Sequence, residues 1–452
     1  SSTGCWRYPK AMQHITHRIP GLVITEHHFL APLDHAHPNG QKIQIFGRLL
    51  RTEEDGDNEV QRPLLVFLQG GPGFCAPRPS SNSGWLGFAL KTYSVLMLDE
   101  RGTGRSTPVT ARTLSRVGDA AAQADYLKLF RSDSIVQDCE LVRRDLIGSE
   151  KWSVLGQSYG GFCAVHYLCA APEGLAQVLL TGGIPPLNAT ALDVYRKTFA
   201  SSARRNDEFY KRYPADQSIV QRIAERLDQG DVYLPSGDLL TVRRFQTLGI
   251  LLGASDGFEE LHYLLEHAFV EGEHGMGPAA GPYGDELSLI FLRGFENALN
   301  YDTNPIYSVL HEACYTQAFA SKWSAEAVRP EWDAFAWKGA GQTSPLYLTG
   351  EMIFPWFFDE IGALKPLKEA AQLLAGSADW PVLYDQQALE ANQVPVAAAV
   401  YTGDMYVDYE LCLQTAASIQ GIQLWCTSDH EHNGLRAEGE LVLGKLLELL
   451  AQ

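Results

Sequence analysis

The sequence predicts an α/β fold in which a mostly parallel central sheet is flanked by helices and interrupted by a helical insertion. Three observations support this prediction. Short apolar segments bounded by glycine and proline alternate with amphipathic segments early in the chain, as in parallel βαβ units. The middle of the chain reads as long helices rich in aromatic residues, and strand-like segments return near the end. One sheet made of two separated pieces of chain accounts for this order.

Eight segments are predicted to be strands, six before the insertion and two after it. They are 21–29, 42–50, 63–68, 94–98, 152–155, 177–181, 394–401 and 422–426. Helices are predicted at 133–147 and 438–450, where apolar residues recur at helical spacing. We therefore expect a sheet domain formed by 1–187 and 393–452, with a helical cap domain at 188–392 inserted after the sixth strand.

The charge balance excludes some classes of partner. The 452 residues include 36 basic and 54 acidic side chains, which gives a formal net charge of −18. A field of this sign repels phosphate backbones and anionic lipids, so neither a nucleic acid nor a membrane is expected as a partner. Whether the chain forms homo-oligomers is left open by the sequence.

Cysteine usage and the first residues indicate the compartment. The eight cysteines are scattered without CxxC pairs or metal-ligand spacing, so we expect reduced thiols and no metal site. Residues 1–10 lack the basic start and apolar stretch of a secretory signal. These features predict a cytoplasmic protein.

The segment 152–161 carries the strongest catalytic motif. An apolar strand runs into Gly156-Gln-Ser158-Tyr-Gly160, and a helix-compatible segment follows. Small residues are required beside a serine that sits on a sharp strand-to-helix turn, because larger side chains would collide with the backbone. An ordinary glycine turn is the alternative. This nucleophile elbow predicts that Ser158 is a nucleophile and that the fold is an α/β-hydrolase.

A glycine-rich loop at 69–73 follows the third predicted strand. In hydrolases with this elbow, that loop supplies one oxyanion N–H, and the residue after the nucleophile supplies the other. The predicted oxyanion donors are therefore the backbone N–H groups of Gly71 and Tyr159. A plain turn of glycine and proline is the alternative.

The partners of the serine are expected after late strands, in the order acid then base. Asp404 follows the strand predicted at 394–401, and Asp408 is the alternative acid, which would otherwise serve as a helix cap. His432 and His430 compete for the base after the last strand, and His432 is favoured because its small neighbours allow a loop to reach the sheet edge. A neutral imidazole held by a carboxylate is what a serine hydroxyl needs in order to lose its proton.

Three ordered motifs resemble those of one family, the prolyl aminopeptidases or proline iminopeptidases. The family's HGGPG, DxRGxGRS and GxSxGG motifs correspond to QGGPG at 69–73, DERGTGRS at 99–106 and GQSYGG at 156–161. The resemblance covers both parts of the predicted sheet domain. Within the family, the chain resembles the longer subgroup, which has an enlarged cap. Gln69 departs from the usual histidine; because backbone groups supply the oxyanion donors, we expect altered loop support and retained catalysis.

The resemblance implies release of N-terminal proline from peptides by a serine peptidase that needs no metal or cofactor. A cationic terminal amine is costly to bury unless it is paired, so carboxylates are expected beside the proline pocket. By resemblance to the family's cap glutamates, Glu312 and Glu351 are the predicted amine-binding residues. Their aromatic neighbours are the predicted walls of the pocket for the pyrrolidine ring: Tyr315, Phe354 and Trp356. Ordinary surface charge is the alternative for both glutamates.

Two other functions fit parts of the pattern. An esterase or other α/β-hydrolase would keep the triad and bind a neutral acyl group, whereas the paired glutamates favour a cationic substrate. A catalytically inactive binding protein on the same fold would not retain a complete set of triad candidates. Epoxide or haloalkane chemistry would require a carboxylate where this chain has Ser158.

Overall fold

The computed structural model describes residues 15–55, 62–270 and 285–451. Within this part of the chain, nine strands form one sheet in the order β1-β2-β3-β5-β4-β6-β7-β8-β9. The strands are β1 (Ile15–Ile19), β2 (Leu22–Pro32), β3 (Lys42–Thr52), β4 (Leu64–Leu68), β5 (Ser94–Asp99), β6 (Trp152–Gln157), β7 (Leu175–Thr181), β8 (Val396–Tyr401) and β9 (Ile422–Thr427). Cys5 and the segment 1–10 lie outside the described residues.

The sheet combines an antiparallel start with a parallel body. Strands β1, β2 and β3 pair antiparallel, and β3 pairs antiparallel with β5. The neighbours from β5 to β9 then pair parallel throughout. The predicted, mostly parallel α/β-hydrolase sheet is therefore confirmed.

The first strand was not predicted from the sequence. Residues Ile15–Ile19 are mostly exposed and pair on one side only, at the edge of the sheet. Edge strands of this kind lack the apolar alternation by which strands are recognised. Because of β1, the long helical segment follows the seventh strand of the structure, which is the sixth of the predicted ones.

Helices cover the sheet and form the segment between β7 and β8. The helices before that segment are α1 (Gly84–Ala89), α2 (Ala111–Leu114), α3 (Ala120–Lys128), α4 (Ser132–Ile147) and α5 (Tyr159–Ala170). Those within it are α6 (Ala191–Arg212), α7 (Asp216–Leu227), α8 (Val242–Gln246), α9 (Gly257–Glu266), α10 (Leu289–Ala298), α11 (Pro305–Leu310), α12 (Ser324–Val328), α13 (Phe357–Glu360), α14 (Lys368–Gly376) and α15 (Gln386–Glu390). Those after it are α16 (Tyr409–Ala416), α17 (Gly434–Ala437) and α18 (Gly439–Leu450).

Short 3₁₀ turns connect several of these helices. They comprise Glu53–Asp55, Pro172–Gly174, Thr247–Gly253, Glu312–Tyr315, Arg329–Glu331, Asp333–Phe335 and Lys365–Leu367. The helical character of the insertion agrees with the sequence, while the exact domain boundaries at 187 and 392 stay a prediction.

One buried arginine connects the sheet domain to the inserted helices. Arg131 precedes α4, and its guanidinium donates to the carbonyl oxygens of Ala313 at 3.0 Å, Thr316 at 2.8 Å and Pro381 at 2.8 Å. The same group lies 4.6 Å from the centre of the Trp380 ring. Guanidinium supplies several donors in one plane, so one side chain can bind loops from separate parts of the chain.

None of the described helices combines the length and the apolar character that a membrane crossing requires.

Parallel pairing brings the ends of four strands to one edge of the sheet. Leu68 at the end of β4 pairs with Gly156 near the end of β6. Strands β8 and β9 end nearby in the sheet order, and Tyr401 pairs with Thr427. Loops that follow these four strands therefore meet at the carboxyl edge, where open α/β sheets bind ligands.

Candidate active site

Ser158 occupies a strained turn between β6 and α5. Its backbone has φ 54° and ψ −122°, a conformation that a residue with a side chain rarely adopts. The Ser158 N–H donates to the Thr181 carbonyl oxygen at 3.0 Å, which ties the turn to the end of β7. The predicted nucleophile therefore lies on an elbow rather than on an ordinary turn.

The glycines around Ser158 are required by close backbone contacts. A Cβ added at Gly156 would lie 2.5 Å from the Gly160 carbonyl oxygen. A Cβ at Gly160 would lie 2.0 Å from the Leu68 carbonyl oxygen. Helix α5 can therefore approach the end of β4 because Gly160 lacks a side chain, and it can approach β6 because Gly156 lacks one.

The glycine-rich loop after β4 lies against this elbow. A Cβ added at Gly70 would be 3.0 Å from Ser158 Cβ, and Gly71 lines the same cavity as the serine. Tyr159 is the first residue of α5, so its N–H is among the backbone donors that a helix N-terminus leaves unpaired within the helix. Gln69 also lines the cavity, and its Oε1 accepts a hydrogen bond from Gly70 N–H at 3.0 Å.

His432 and Asp404 form a buried pair beside Ser158. His432 lines the cavity with the serine, and its Nδ1 is 2.7 Å from Asp404 Oδ2. Because a carboxylate only accepts, Nδ1 carries the proton and Nε2 is left as an acceptor. The second oxygen, Asp404 Oδ1, accepts from the N–H groups of Tyr406 at 2.8 Å and Val407 at 3.0 Å. These bonds hold the carboxylate in one orientation.

Opposing effects set the pKa of His432. Burial is the largest single effect and lowers the pKa, whereas the charge and hydrogen bond of Asp404 raise it, and Glu351 adds to the increase. The net result is a pKa above the usual value for histidine. A base with this environment becomes more basic and is stabilised when it accepts a proton.

The competing acid and base have other contacts. Asp408 caps α16 by accepting from Leu411 N–H at 3.0 Å, as the alternative interpretation of that residue predicted. His430 packs edge-on against Tyr401 and Trp425, with Nδ1 3.4 Å from Glu438 Oε2, and it is not among the residues that line the cavity.

The cavity beside Ser158 has a volume of about 260 Å³ and is lined by both parts of the molecule. The sheet domain contributes the glycine-rich loop, Ser158 and His432. The inserted segment contributes Ile250, residues 298–301, Tyr307 and Glu351. Most lining side chains other than these catalytic candidates are apolar or aromatic, which suits a small apolar ring.

Glu351 is the one carboxylate among the described residues that line this cavity. Its side chain is 13% exposed, and its Oε1 accepts a hydrogen bond from the Tyr307 hydroxyl at 3.0 Å. A carboxylate in such a place attracts a cation because few water molecules screen it. This is the environment expected for a residue that binds an amine.

The structure does not bring Glu312 to this cavity, contrary to the sequence-based expectation. Glu312 is buried, and its Oε1 accepts from Ala325 N–H in the first turn of α12 at 3.1 Å. Burial raises the pKa of Glu312, although hydrogen bonds from Ala325, Ser321 and Ser324 oppose the increase. The residue serves the start of a helix, where backbone N–H groups attract a carboxylate.

The three predicted aromatic pocket residues also lie outside the lining. Tyr315 packs edge-on against Phe162 and Tyr195, and Phe354 stacks on Trp356 at 5.4 Å within the core. The aromatic side chains that do line the cavity are Phe74, Tyr301, Tyr307 and Tyr406. The Tyr406 ring meets the His432 ring edge-on, with their centres 4.6 Å apart. No periodic pattern marks these positions, because most of them lie in irregular connections.

The charged segment at 99–105, which begins with the last residue of β5, connects several loops. Asp99 accepts from Arg78 at 2.6 Å and from the Arg105 backbone N–H at 2.9 Å. Arg101 donates to Asp138 through two nitrogens, each at 2.7 Å. Both ion pairs are bidentate, which fixes both partners, and the Arg101–Asp138 pair is fully buried.

Comparison with known proteins identifies relatives along nearly the whole chain. A family model described as the alpha/beta hydrolase fold matches residues 63–222. A proline iminopeptidase from Aeromonas sobria is 46% identical over 432 residues, which cover 95% of this chain and 97% of that protein. A proline iminopeptidase from Aspergillus aculeatus is 36% identical over 447 residues, which cover 97% and 96%.

One solved structure of similar name was also found. It is a proline iminopeptidase from Mycobacterium smegmatis, with 13% identity and a TM-score of 0.45, over 94% of this chain and 98% of that chain.

Proposed function

The chain belongs to the proline iminopeptidase family of α/β-hydrolases, and from this premise we propose that it is a serine aminopeptidase that releases proline from the amino terminus of peptides. The observation that carries the proposal is one cavity lined by Ser158, His432 and Glu351. A nucleophile, a base and a carboxylate for the substrate amine are together what this reaction requires.

Acylation begins when the substrate's terminal amine pairs with Glu351 and its ring contacts the aromatic side chains of the cavity. His432 Nε2 takes the proton from Ser158 Oγ as this oxygen attacks the carbonyl carbon of the first residue. The N–H groups of Gly71 and Tyr159 stabilise the negative charge that develops on the carbonyl oxygen. His432 then gives its proton to the leaving amine, and a prolyl-enzyme ester remains.

Deacylation repeats these steps with water. His432 takes a proton from the water that attacks the ester, the same two N–H groups stabilise the second tetrahedral intermediate, and Ser158 Oγ leaves with the proton from His432. Asp404 keeps the imidazole in the required tautomer in both halves. Every proton is carried by a residue of the chain or by water, so the proposed reaction uses no metal or cofactor.

A substrate pair tests this function. Prolyl-β-naphthylamide and its N-acetyl derivative differ at the terminal nitrogen, where Glu351 is proposed to act: the first has a cationic amine and the second a neutral, bulkier amide. We expect hydrolysis of the free amine and loss of at least about a hundredfold in kcat/KM for the acetylated substrate, since a buried carboxylate left unpaired is costly. Ser158→Ala is the control and should abolish both activities.

The main competitor is an esterase for neutral acyl groups. It would tolerate acetylation of the amine, and it would prefer a neutral acyl ester to the prolyl one. Equal hydrolysis of both naphthylamides would therefore replace the aminopeptidase assignment with this alternative.

We also propose that the protein acts in the cytoplasm. Free cysteines are usual in a reducing compartment. All seven cysteines at described positions are free, namely Cys75, Cys139, Cys163, Cys169, Cys314, Cys412 and Cys426. Fractionation of source cells with activity measured in each fraction tests this location.

A further inference from the structure

A second contact between a histidine and a carboxylate involves Glu351, the carboxylate that lines the cavity. His311 follows α11 and is buried, and its Nε2 is 3.7 Å from Glu351 Oε1. This separation is longer than a hydrogen bond but short enough for a substantial electrostatic interaction in a buried site. The reaction steps described above leave His311 without a role.

A tyrosine fixes the orientation of this histidine. The Tyr195 hydroxyl is 2.9 Å from His311 Nδ1. Among the described residues, Tyr195 is the one hydrogen-bond partner of the His311 side chain. Because the Glu351 carboxylate near Nε2 can only accept, the tautomer with the proton on Nε2 is favoured, and the Tyr195 hydroxyl then donates to Nδ1. A neutral His311 that accepts at Nδ1 carries its own proton on Nε2, which faces Glu351.

The contacts to Glu351 fall on one of its two oxygens. Oε1 accepts from the Tyr307 hydroxyl at 3.0 Å and lies nearest His311 Nε2. Oε2 has no hydrogen-bond partner among residues 15–55, 62–270 and 285–451. Since Glu351 lines the cavity, one oxygen is held by the protein and the other is left to accept from a bound cation.

We propose that His311, oriented by Tyr195, is a positioning residue that holds Glu351 with Oε2 directed at the substrate's ammonium group. The inference rests on the proposed function, because it assigns Glu351 to the amine. His311 does not touch the substrate in this arrangement. It acts through the carboxylate, in the way that outer hydrogen-bond partners orient metal ligands and catalytic groups.

Two esters separate positioning from a general structural role. The 4-nitrophenyl esters of proline and of cyclopentanecarboxylic acid both have a five-membered ring, but only the ring of the first contains an amine nitrogen. The ratio of their kcat/KM values, after subtraction of uncatalysed hydrolysis, measures what amine recognition contributes. Variants to compare are His311→Ala, His311→Gln, Tyr195→Phe, Glu351→Gln and the double variant His311→Ala with Glu351→Gln.

We expect His311→Ala to lower the ratio about tenfold or more, the range found for residues that orient a functional group. His311→Gln, which keeps a donor, should restore part of the loss, and Tyr195→Phe should reproduce part of it. In the Glu351→Gln background, His311→Ala should change the ratio no further, because the two residues act through one interaction.

Several results would overturn the inference. Equal losses on both esters in His311→Ala and Tyr195→Phe would show a structural role only. A further loss of ratio in the double variant would show that His311 acts independently of Glu351. An unchanged ratio in Glu351→Gln would overturn the amine-binding role and this inference together. If Glu351→Gln lowered the ratio but the His311 and Tyr195 variants kept the ratio of the parent protein, the inference alone would be overturned.

Discussion

The two carboxylate oxygens of Asp404 make different contacts: Oδ1 accepts hydrogen bonds from two backbone N–H groups, and Oδ2 accepts one from His432 Nδ1. Asp404→Asn should keep the fold but present an amide to Nδ1, which favours the wrong tautomer of the imidazole. We expect kcat to fall by about three to four orders of magnitude, as in triads that lose this carboxylate. Steady-state kinetics on prolyl-β-naphthylamide measure the effect.

Asp408→Asn is the matched control, because this residue lies four positions further along and only caps a helix. An asparagine can cap as well, so its kcat should be unchanged. If Asp408→Asn were the more damaging substitution, the assignment of the acid would be reversed.

The pH dependence gives a second residue-scale prediction. The reaction needs a neutral His432, so activity falls in acid as the imidazole is protonated. Burial lowers the pKa of His432, but Asp404 and Glu351 raise it to a net value above the usual one. Glu351→Gln removes one of these negative charges, so the pKa should decrease and the acid limb of the profile should shift to lower pH.

The measurement uses the cyclopentanecarboxylic ester, whose binding does not depend on an amine. A profile of kcat/KM against pH is compared between the parent protein and Glu351→Gln. A shift of the acid limb to higher pH would contradict the proximity of Glu351 to the base.

The candidate site residues could be predicted from the sequence to different degrees. Ser158, Asp404 and His432 could be proposed from the sequence because each follows a predicted strand and few other residues of the right type do so, and the structure brings Ser158 and His432 to one cavity and pairs His432 with Asp404. Glu312 and Glu351 both occupy apolar aromatic surroundings, and only the packing of the inserted segment separates them. The first binds the N-terminus of α12, and the second lines the cavity.

At the scale of elements, the junction of β4, β6 and α5 depends on contact between backbones. Gly160→Ala would place a methyl group 2.0 Å from the Leu68 carbonyl oxygen, and main chain cannot move aside as a side chain can. We expect little soluble protein, or soluble protein whose kcat is lowered by at least about a hundredfold, since a shift of 1 Å at a catalytic group has that effect.

Gly376→Ala provides the comparison. This glycine ends α14, and a Cβ there would have no atom within 4 Å. Soluble yield and kcat should match those of the parent protein. Normal yield and kcat in Gly160→Ala would contradict the close packing of α5 on β4.

The central strands of the sheet were predictable because burial on both faces leaves long apolar runs in the sequence. The segment at 152–155 proved to be part of the buried strand β6, and the segment at 422–426 part of β9, a partly buried strand at the sheet edge. Strand β1 escaped because it is exposed and polar at the sheet edge. Residues 298–301, which line the cavity, were not predicted for another reason. They lead from one helix to the next and follow neither strand nor helix periodicity.

At the level of the whole chain, Arg131 connects the sheet domain to the inserted segment through three hydrogen bonds. Arg131→Ala would leave the carbonyl oxygens of Thr316 and Pro381 without their donor and would remove one of the donors to the Ala313 carbonyl oxygen. We expect the free energy of unfolding to fall by about 3–5 kcal/mol, the range for a broken buried polar network. Urea denaturation followed by fluorescence measures this change.

Arg196→Ala is the control, because that arginine forms an exposed pair with Glu331. Exposed ion pairs contribute little, so the unfolding midpoint should hardly move. Equal midpoints for both variants would mean that the loops around Arg131 are held by other contacts.

The order of segments along the chain has a consequence for synthesis on the ribosome. The proposed nucleophile Ser158 emerges first, the inserted segment that lines its cavity emerges next, and the proposed base His432 follows β9. No partly translated chain can therefore contain an activated serine without its cover. A nascent hydrolase of this design cannot attack other nascent peptides before the part that selects its substrates exists.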